Sequence, residues 1–242
     1  MNKLKYWLKA LPLGLAIKIR LLRTFKKLIG LPNELYYSQT GEDILIYHLL
    51  NEAKEGFYID VGCHDPIRIS NTFSLYLLGW NGINIDADKN VMQKVRKIRK
   101  LDINICTAVS DSIKEVTYYR SAETPNVNTI SAETHETWKA KWNFNIKDQE
   151  TITTTTLTNI LTEHLAIGKK IDLLTVDVEG HEWEVIKGLD LNLYRPTIIV
   201  LECHNLEDFS KSSVYQHLIA NEYKLVGFVI MNAYFRNSRT ES

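Results

Sequence analysis

The sequence predicts an α/β fold, a mostly parallel sheet with helices on both faces. Three observations carry that expectation. From Phe57 onward, short apolar runs alternate with amphipathic stretches of helical period. Four of the runs end in glycine, acidic or imidazole side chains, as at the ligand-binding edge of a parallel sheet. The last two runs, Tyr223 to Ile230 and Ala233 to Arg236, are separated only by Met231-Asn232. That connection is too short for a crossover helix, so the final pair must be antiparallel.

The elements follow in order. Ser38 to Asp43 opens a helix over Ile44 to Leu50, with acidic residues in its first turn. Phe57 to Val61 is a buried strand stopped by Gly62. A helix over Thr72 to Leu78 and a turn at Gly79 to Gly82 lead to the second strand, Ile83 to Asp86. A basic helix, Val91 to Lys100, precedes the third strand, Ile103 to Val109. Residues 114–156 break this rhythm. Val116 to Tyr119 reads as an extra strand, Ser121 to Gln149 is polar with Trp138, Trp142 and Phe144 interspersed, and Thr151 to Thr156 is β-prone. A helix over Leu157 to Leu165 restores the alternation. It continues with a strand at Leu173 to Val178, a helix at Glu182 to Lys187, a strand at Thr197 to Glu202 and a helix at Val214 to Asn221.

The length of 242 residues suits one such domain (residues 33–242, with an insertion at about 114–156) behind a basic segment, residues 1–32. Net charge is zero, but its distribution is uneven. Residues 1–30 hold eight basic side chains and no acidic one, which leaves 21 basic against 29 acidic residues in the remainder. An acidic domain without a basic stripe argues against a nucleic-acid partner. The longest uncharged run near the start, Ala10 to Ile17, is about half the length of a membrane span, and no A-x-A-like cleavage site follows it. A cytoplasmic location is expected. Trp7, Leu8, Leu11, Leu15, Leu22 and Phe25 among lysines and arginines suit an amphipathic helix, broken near Pro12 and Gly14, in peripheral contact with an anionic membrane. The alternative is a basic arm, flexible or packed on the core. The odd number of cysteines and the lack of a CxxC pair argue against disulfides. Cys63-His64 and Cys203-His204 each offer one easy ligand at most, because neighbours on a strand point to opposite faces, so no zinc site is expected there.

The chemistry is expected where strands end. Asp60-Val61-Gly62-Cys63-His64-Asp65 closes the first strand, and a glycine there lets backbone approach a ligand. Asp86 ends the next strand, where a carboxylate can accept both hydroxyls of a ribose. Asp177-Val178-Glu179-Gly180-His181 and Glu202-Cys203-His204-Asn205 add acid and imidazole groups at the same edge. Each also has an ordinary structural reading, since Asp60 and Asp86 can cap turns or helices, His181 can be solvated and His204 a satisfied core residue.

Seven stretches taken together resemble the FkbM family of methyltransferases over about residues 36–236. They are SQTGED (38–43), FYIDVGCHDP (57–66), SNT (70–72), GWNGINID (79–86), AVSD (108–111), DLLTVDVEGHEWEVIKGLD (172–190) and RPTIIVLE (195–202). The resemblance implies the class I methyltransferase (Rossmann-like) fold, with seven strands of which the last is antiparallel. It also implies S-adenosyl-L-methionine as cofactor, transfer to oxygen, and a glycan or other small-molecule hydroxyl as acceptor. On the matching stretches, cofactor contacts fall to Gln39, Glu42, Asp60, Gly62, His64, Asp86, Ser110, Asp111 and Asp177. One departure is His64, where many class I methyltransferases carry a second glycine. Methyl transfer to a hydroxyl is helped by a base, for which His181 and His204 are candidates. Asp177 and Glu179 are placed to orient that base, to bind the methionine end, or with Glu202 to hold a divalent cation. Region 114–156, with its tryptophans, is the candidate acceptor platform, unless Trp138 and Trp142 only pack the insertion. A nicotinamide-dependent oxidoreductase needs a G-x-G-x-x-G turn that the chain lacks. A non-catalytic scaffold is disfavoured by the four intact strand ends.

Overall fold

Apolar runs buried on both faces build the centre of the molecule. In the computed structural model, which describes residues 6, 9–31, 36–121, 128–142, 146–203 and 206–240, seven of them form one sheet. They are β1 (Phe57–Val61), β2 (Asn81–Asp86), β3 (Ile103–Cys106), β7 (Leu173–Val176), β8 (Ile198–Glu202), β9 (Tyr223–Val229) and β10 (Asn232–Asn237), in the order β3-β2-β1-β7-β8-β10-β9. β3, β2, β1, β7 and β8 are parallel, and β10 lies antiparallel between β8 and β9. This is the predicted class I methyltransferase arrangement. Val61 registers with both Ile85 and Val176, so the carboxyl ends of β1, β2 and β7 lie level. The chain moves outward from β1 to β3 and then returns to the other side of β1, which opens a crevice at that end.

Alternate side chains feed two cores. Ile59, Val61, Ile85, Leu174 and Val176 pack with Leu157, Leu161, Val185 and Leu218 from helices on one face. Tyr58, Leu173, Val200 and Tyr234 pack with Ile46, Leu75 and Trp80 on the other. The period of two along each strand accounts for this division.

Two parts differ from the sequence reading. The run Ile103 to Val109 is not one strand. It breaks at Thr107, whose amide donates to the Asp86 carbonyl at 3.0 Å, and Ala108–Ser110 continues as β4 in a second sheet. There β4 runs parallel to β6 (Ile146–Thr156), while β5 (Glu115–Ser121) is antiparallel to β6. The polar stretch between β5 and β6 contains a helix, Ala132–Trp142. Phe144 lies outside the described residues, as do Trp7 and Leu8.

The basic segment is fastened to the domain. Pro12 precedes a helix over Leu13–Leu28 that includes Gly14. Ala10, Leu11, Ala16 and Ile19 are buried against Phe73, Tyr76 and Leu77. The Tyr76 hydroxyl donates to the Ala10 carbonyl at 2.7 Å.

Beneath this contact sits Arg99, the residue that caps the helix Lys89–Ile98, with its side chain fully buried. It donates to the Pro66 carbonyl, Ser70 Oγ and Thr72 Oγ1, each at 2.9 Å, and its guanidinium lies 5.0 Å from the rings of Phe73 and Tyr76. Through Tyr58, whose hydroxyl donates to Asp102 at 2.5 Å, it joins the sheet. Removing one partner of such a network strands the others without water. Arg99→Met is therefore expected to destabilise the fold by about 3–5 kcal/mol. Urea unfolding checks this, and a loss below about 1 kcal/mol would contradict it.

Candidate active site

The site is built where β1, β2 and β7 end together. Gly62 turns the chain out of β1 with φ of 82°, and its amide donates to the Ile85 carbonyl at 2.9 Å. A Cβ at this position would stand 1.7 Å from the Asp177 carbonyl oxygen. The space that a side chain would need is thus filled by the neighbouring strand end, so glycine is required for strand packing as well as for the turn. His64 follows with φ of 43°. Histidine tolerates this left-handed conformation better than most residues, which explains how it occupies the second-glycine position.

The backbone turned in this way meets Asp86. One Asp86 oxygen accepts from the His64 amide at 3.1 Å and the other from the Asp88 amide at 2.8 Å. Each oxygen keeps further acceptor capacity, and Asp86 lines the crevice. Burial raises its carboxyl to about 6 against the lowering effect of those two amides.

The crevice holds a cavity of about 860 Å³. One wall is the strand ends, with Gly62, His64, Asp86, Asp177 and Glu202, together with Gln39 from the loop before the helix Glu42–Leu49. Apolar side chains at Ile85, Val91 and Val109 line the β2 and β4 side. The opposite wall is the insertion, with Tyr118, Asn128, Thr129, Thr134, Trp138 and Lys141. Thr129 Oγ1 donates to the Glu179 carbonyl at 2.9 Å, and Thr134 packs against Gly180, fixing the insertion over the β7 end.

Acid groups concentrate at that end. Single oxygens of Asp177, Glu179 and Glu202 all lie within 4.8 Å of one another. Burial first, then the charges of Glu202, Glu179 and Glu182, push the Asp177 carboxyl well above the usual carboxylate range. Glu182 is raised to about 7, mainly by burial and next by Glu202, although it accepts from the amides of Val178 and Gly180 at 3.1 Å. Like charges at such spacing are relieved by a shared proton, and the same oxygens are spaced for a divalent cation.

The structure brings Gln39, Gly62, His64, Asp86, Asp177 and Glu179 to the cavity. Several other sequence candidates stand away from its lining. Asp60 is buried behind β1 and accepts from Thr72 Oγ1 at 2.6 Å, because its side chain points to the face opposite Val61. Glu42 accepts from the amide and hydroxyl of Thr40, and Asp43 accepts from Ser38 Oγ at 2.7 Å, so both acids shape the loop that carries Gln39. Asp111 pairs with Lys114 and Lys187, each at 2.8 Å. His181 is turned inward, with Nε2 3.0 Å from Ser110 Oγ and Nδ1 3.5 Å from Glu184. Burial lowers its pKa despite the Glu184 charge. Ser110 and His181 thus occupy each other rather than the cavity. His204 lies outside the described residues. Asn128, Thr129, Thr134 and Lys141 were not singled out in the sequence, although region 114–156 was the candidate acceptor platform on the strength of its tryptophans.

A pH dependence follows from the buried carboxyls. Asp60 is raised by burial to about 6, above an unfolded value of about 4. The folded state then holds the proton longer than the unfolded chain. Its contribution to stability is present below about pH 4 and is lost as pH rises through about 6. Asp60→Asn keeps an acceptor for Thr72 and should flatten the stability profile across that window in urea unfolding of the ligand-free protein. An unchanged slope would contradict the assignment.

The family model described as the methyltransferase FkbM domain matches residues 60–234, most of the chain. No curated protein matches it. Among solved structures it is similar to the METTL16 MTase domain, with 14% identity, TM-score 0.47, and coverage of 91% of this chain and 79% of that one. A TehB-like SAM-dependent methyltransferase from Corynebacterium glutamicum is similar at 12% identity and TM-score 0.39, covering 90% and 96%. Human methyltransferase 10 domain containing protein is similar at 13% identity and TM-score 0.42, covering 85% and 84%. The family match runs from β1 to β10 and takes in every strand end that builds the cavity, and the chain belongs to the methyltransferase FkbM domain family.

Proposed function

We propose that the protein is an S-adenosylmethionine-dependent O-methyltransferase acting on a hydroxyl of a glycan or similar polyhydroxylated small molecule. The observation that carries the cofactor is Asp86, which stands at the β2 end beside the open Gly62–His64 backbone with acceptor capacity left on both oxygens. A carboxylate so placed suits the two hydroxyls of a ribose, and Ile85, Val91 and Val109 beside it suit a purine. Gln39 and His64, in the same lining, suit the charged amino-acid end. The cavity volume of about 860 Å³ leaves room for an acceptor against the insertion wall.

The cofactor supplies a methyl group activated on a sulfonium. The chain's own residues have three tasks: to hold donor and acceptor in line, to exclude water and to take the hydroxyl proton. The insertion wall fits the second substrate, since Trp138 offers an aromatic surface and Asn128, Thr129, Thr134 and Lys141 offer polar groups. Proton removal falls to the carboxyl cluster. Burial and neighbouring acids raise the Asp177 carboxyl, and its oxygens lie with those of Glu179 and Glu202 on the cavity wall, where a more basic carboxylate is the better proton acceptor.

Transfer of labelled methyl groups to glycan and lipid-linked sugar pools tests this reading. Asp177→Asn should lower kcat by roughly 10²–10⁴-fold with cofactor affinity largely retained. Trp138→Ala should raise the acceptor KM more than it lowers kcat. Transfer to nitrogen or carbon acceptors only, or full activity in Asp177→Asn, would contradict it.

A further inference from the structure

The helix Leu13–Leu28 has two apolar faces, and the domain uses one. At about 100° per residue, Ala16 and Ile19 fall on the side buried against Phe73, Tyr76 and Leu77. Ile17, Leu21, Phe25 and Leu28 recur at offsets of four, eight and eleven residues and fall together on the opposite side. They are 48%, 64%, 58% and 79% exposed. Leu13 extends the same stripe, and Leu22 borders it. Exposed cations flank it on both edges, Arg20 and Lys27 on one side and Lys18 on the other. No acidic residue occurs in residues 1–30.

We propose that this outward face docks the protein on an anionic membrane surface, with the helix lying in the plane of the interface. An apolar stripe between two rows of cations matches the boundary between acyl chains and anionic headgroups. No helix among the described residues is long and apolar enough to cross a membrane, so attachment is by one face. Charge selects lipid over a second copy of the chain. Two such helices brought face to face would oppose cation to cation with no acidic partner on either. The contact with Phe73, Tyr76 and Leu77 holds the helix against the domain, so the stripe is presented in a fixed orientation.

The test is co-sedimentation of the full chain with phosphatidylcholine vesicles, with and without phosphatidylserine, at low and high salt. Binding is expected to require phosphatidylserine and to weaken with salt. Arg20→Gln with Lys27→Gln should lower the affinity by roughly 25-fold, since each cation near such a surface contributes roughly fivefold. Leu21→Gln with Phe25→Gln should abolish pelleting. All four positions are exposed, and an unchanged melting temperature shows that the variants fold. No pelleting with phosphatidylserine, or pelleting indifferent to these substitutions, would overturn the proposal. So would a soluble dimer dissociated by Phe25→Gln, which would assign the stripe to a second copy.

Discussion

The closeness of β1 and β7 at their carboxyl ends is the constraint on which the site depends. The backbone of Gly62 lies so near the Asp177 carbonyl that no side chain fits between them. Only glycine permits this contact. The contact sets the turn that aims the His64 amide at Asp86, and it brings Asp177 beside Gly62 on the same cavity wall. The cavity, the Asp86 carboxylate at its edge and the acid cluster therefore share one local packing requirement.

Behind that edge, buried polar groups hold the elements in place. Arg99 ties the Pro66–Thr72 loop to Tyr58, and Thr72 in turn holds Asp60. Such groups are costly to bury singly and stable only when all are paired. The network explains why Asp60 contributes to the site from behind, as a support for the strand end, while Asp86 faces the cavity. The insertion is held at both ends of the crevice as well, by Thr129 on Glu179 and by Arg120 and Asn128 on Asp88.

Much of this was legible in the sequence. The apolar runs of β1, β2, β7 and β8, the two-residue turn before β10 and the spacing of Gly62 and Asp86 all follow from rules local to the chain. Side-chain direction did not. Asp60 and His181 occupy suggestive positions in their motifs, yet one points to the far face of the sheet and the other toward Ser110. Arg99, at the end of a basic helix, carries no local sign of burial, because burial of a guanidinium depends on distant partners. The break at Thr107 was hidden by a continuous apolar run, and the helix Ala132–Trp142 by the absence of a distinct apolar face. That region 114–156 borders the site was expected from its tryptophans, but not which of its polar residues line the cavity. The basic leader was legible as amphipathic, but its attachment through Ala16 and Ile19 required the positions of Phe73 and Tyr76.

The central claim is that an adenosyl cofactor binds at the β1–β2 edge with Asp86 as the ribose acceptor. Calorimetric titration of S-adenosylhomocysteine into the protein and into a folded Asp86→Ala variant tests it most directly. The account predicts saturable binding to the native chain, weakened by about 1–3 kcal/mol in the variant. Absence of binding at millimolar ligand, or equal affinity in the two proteins, would contradict it.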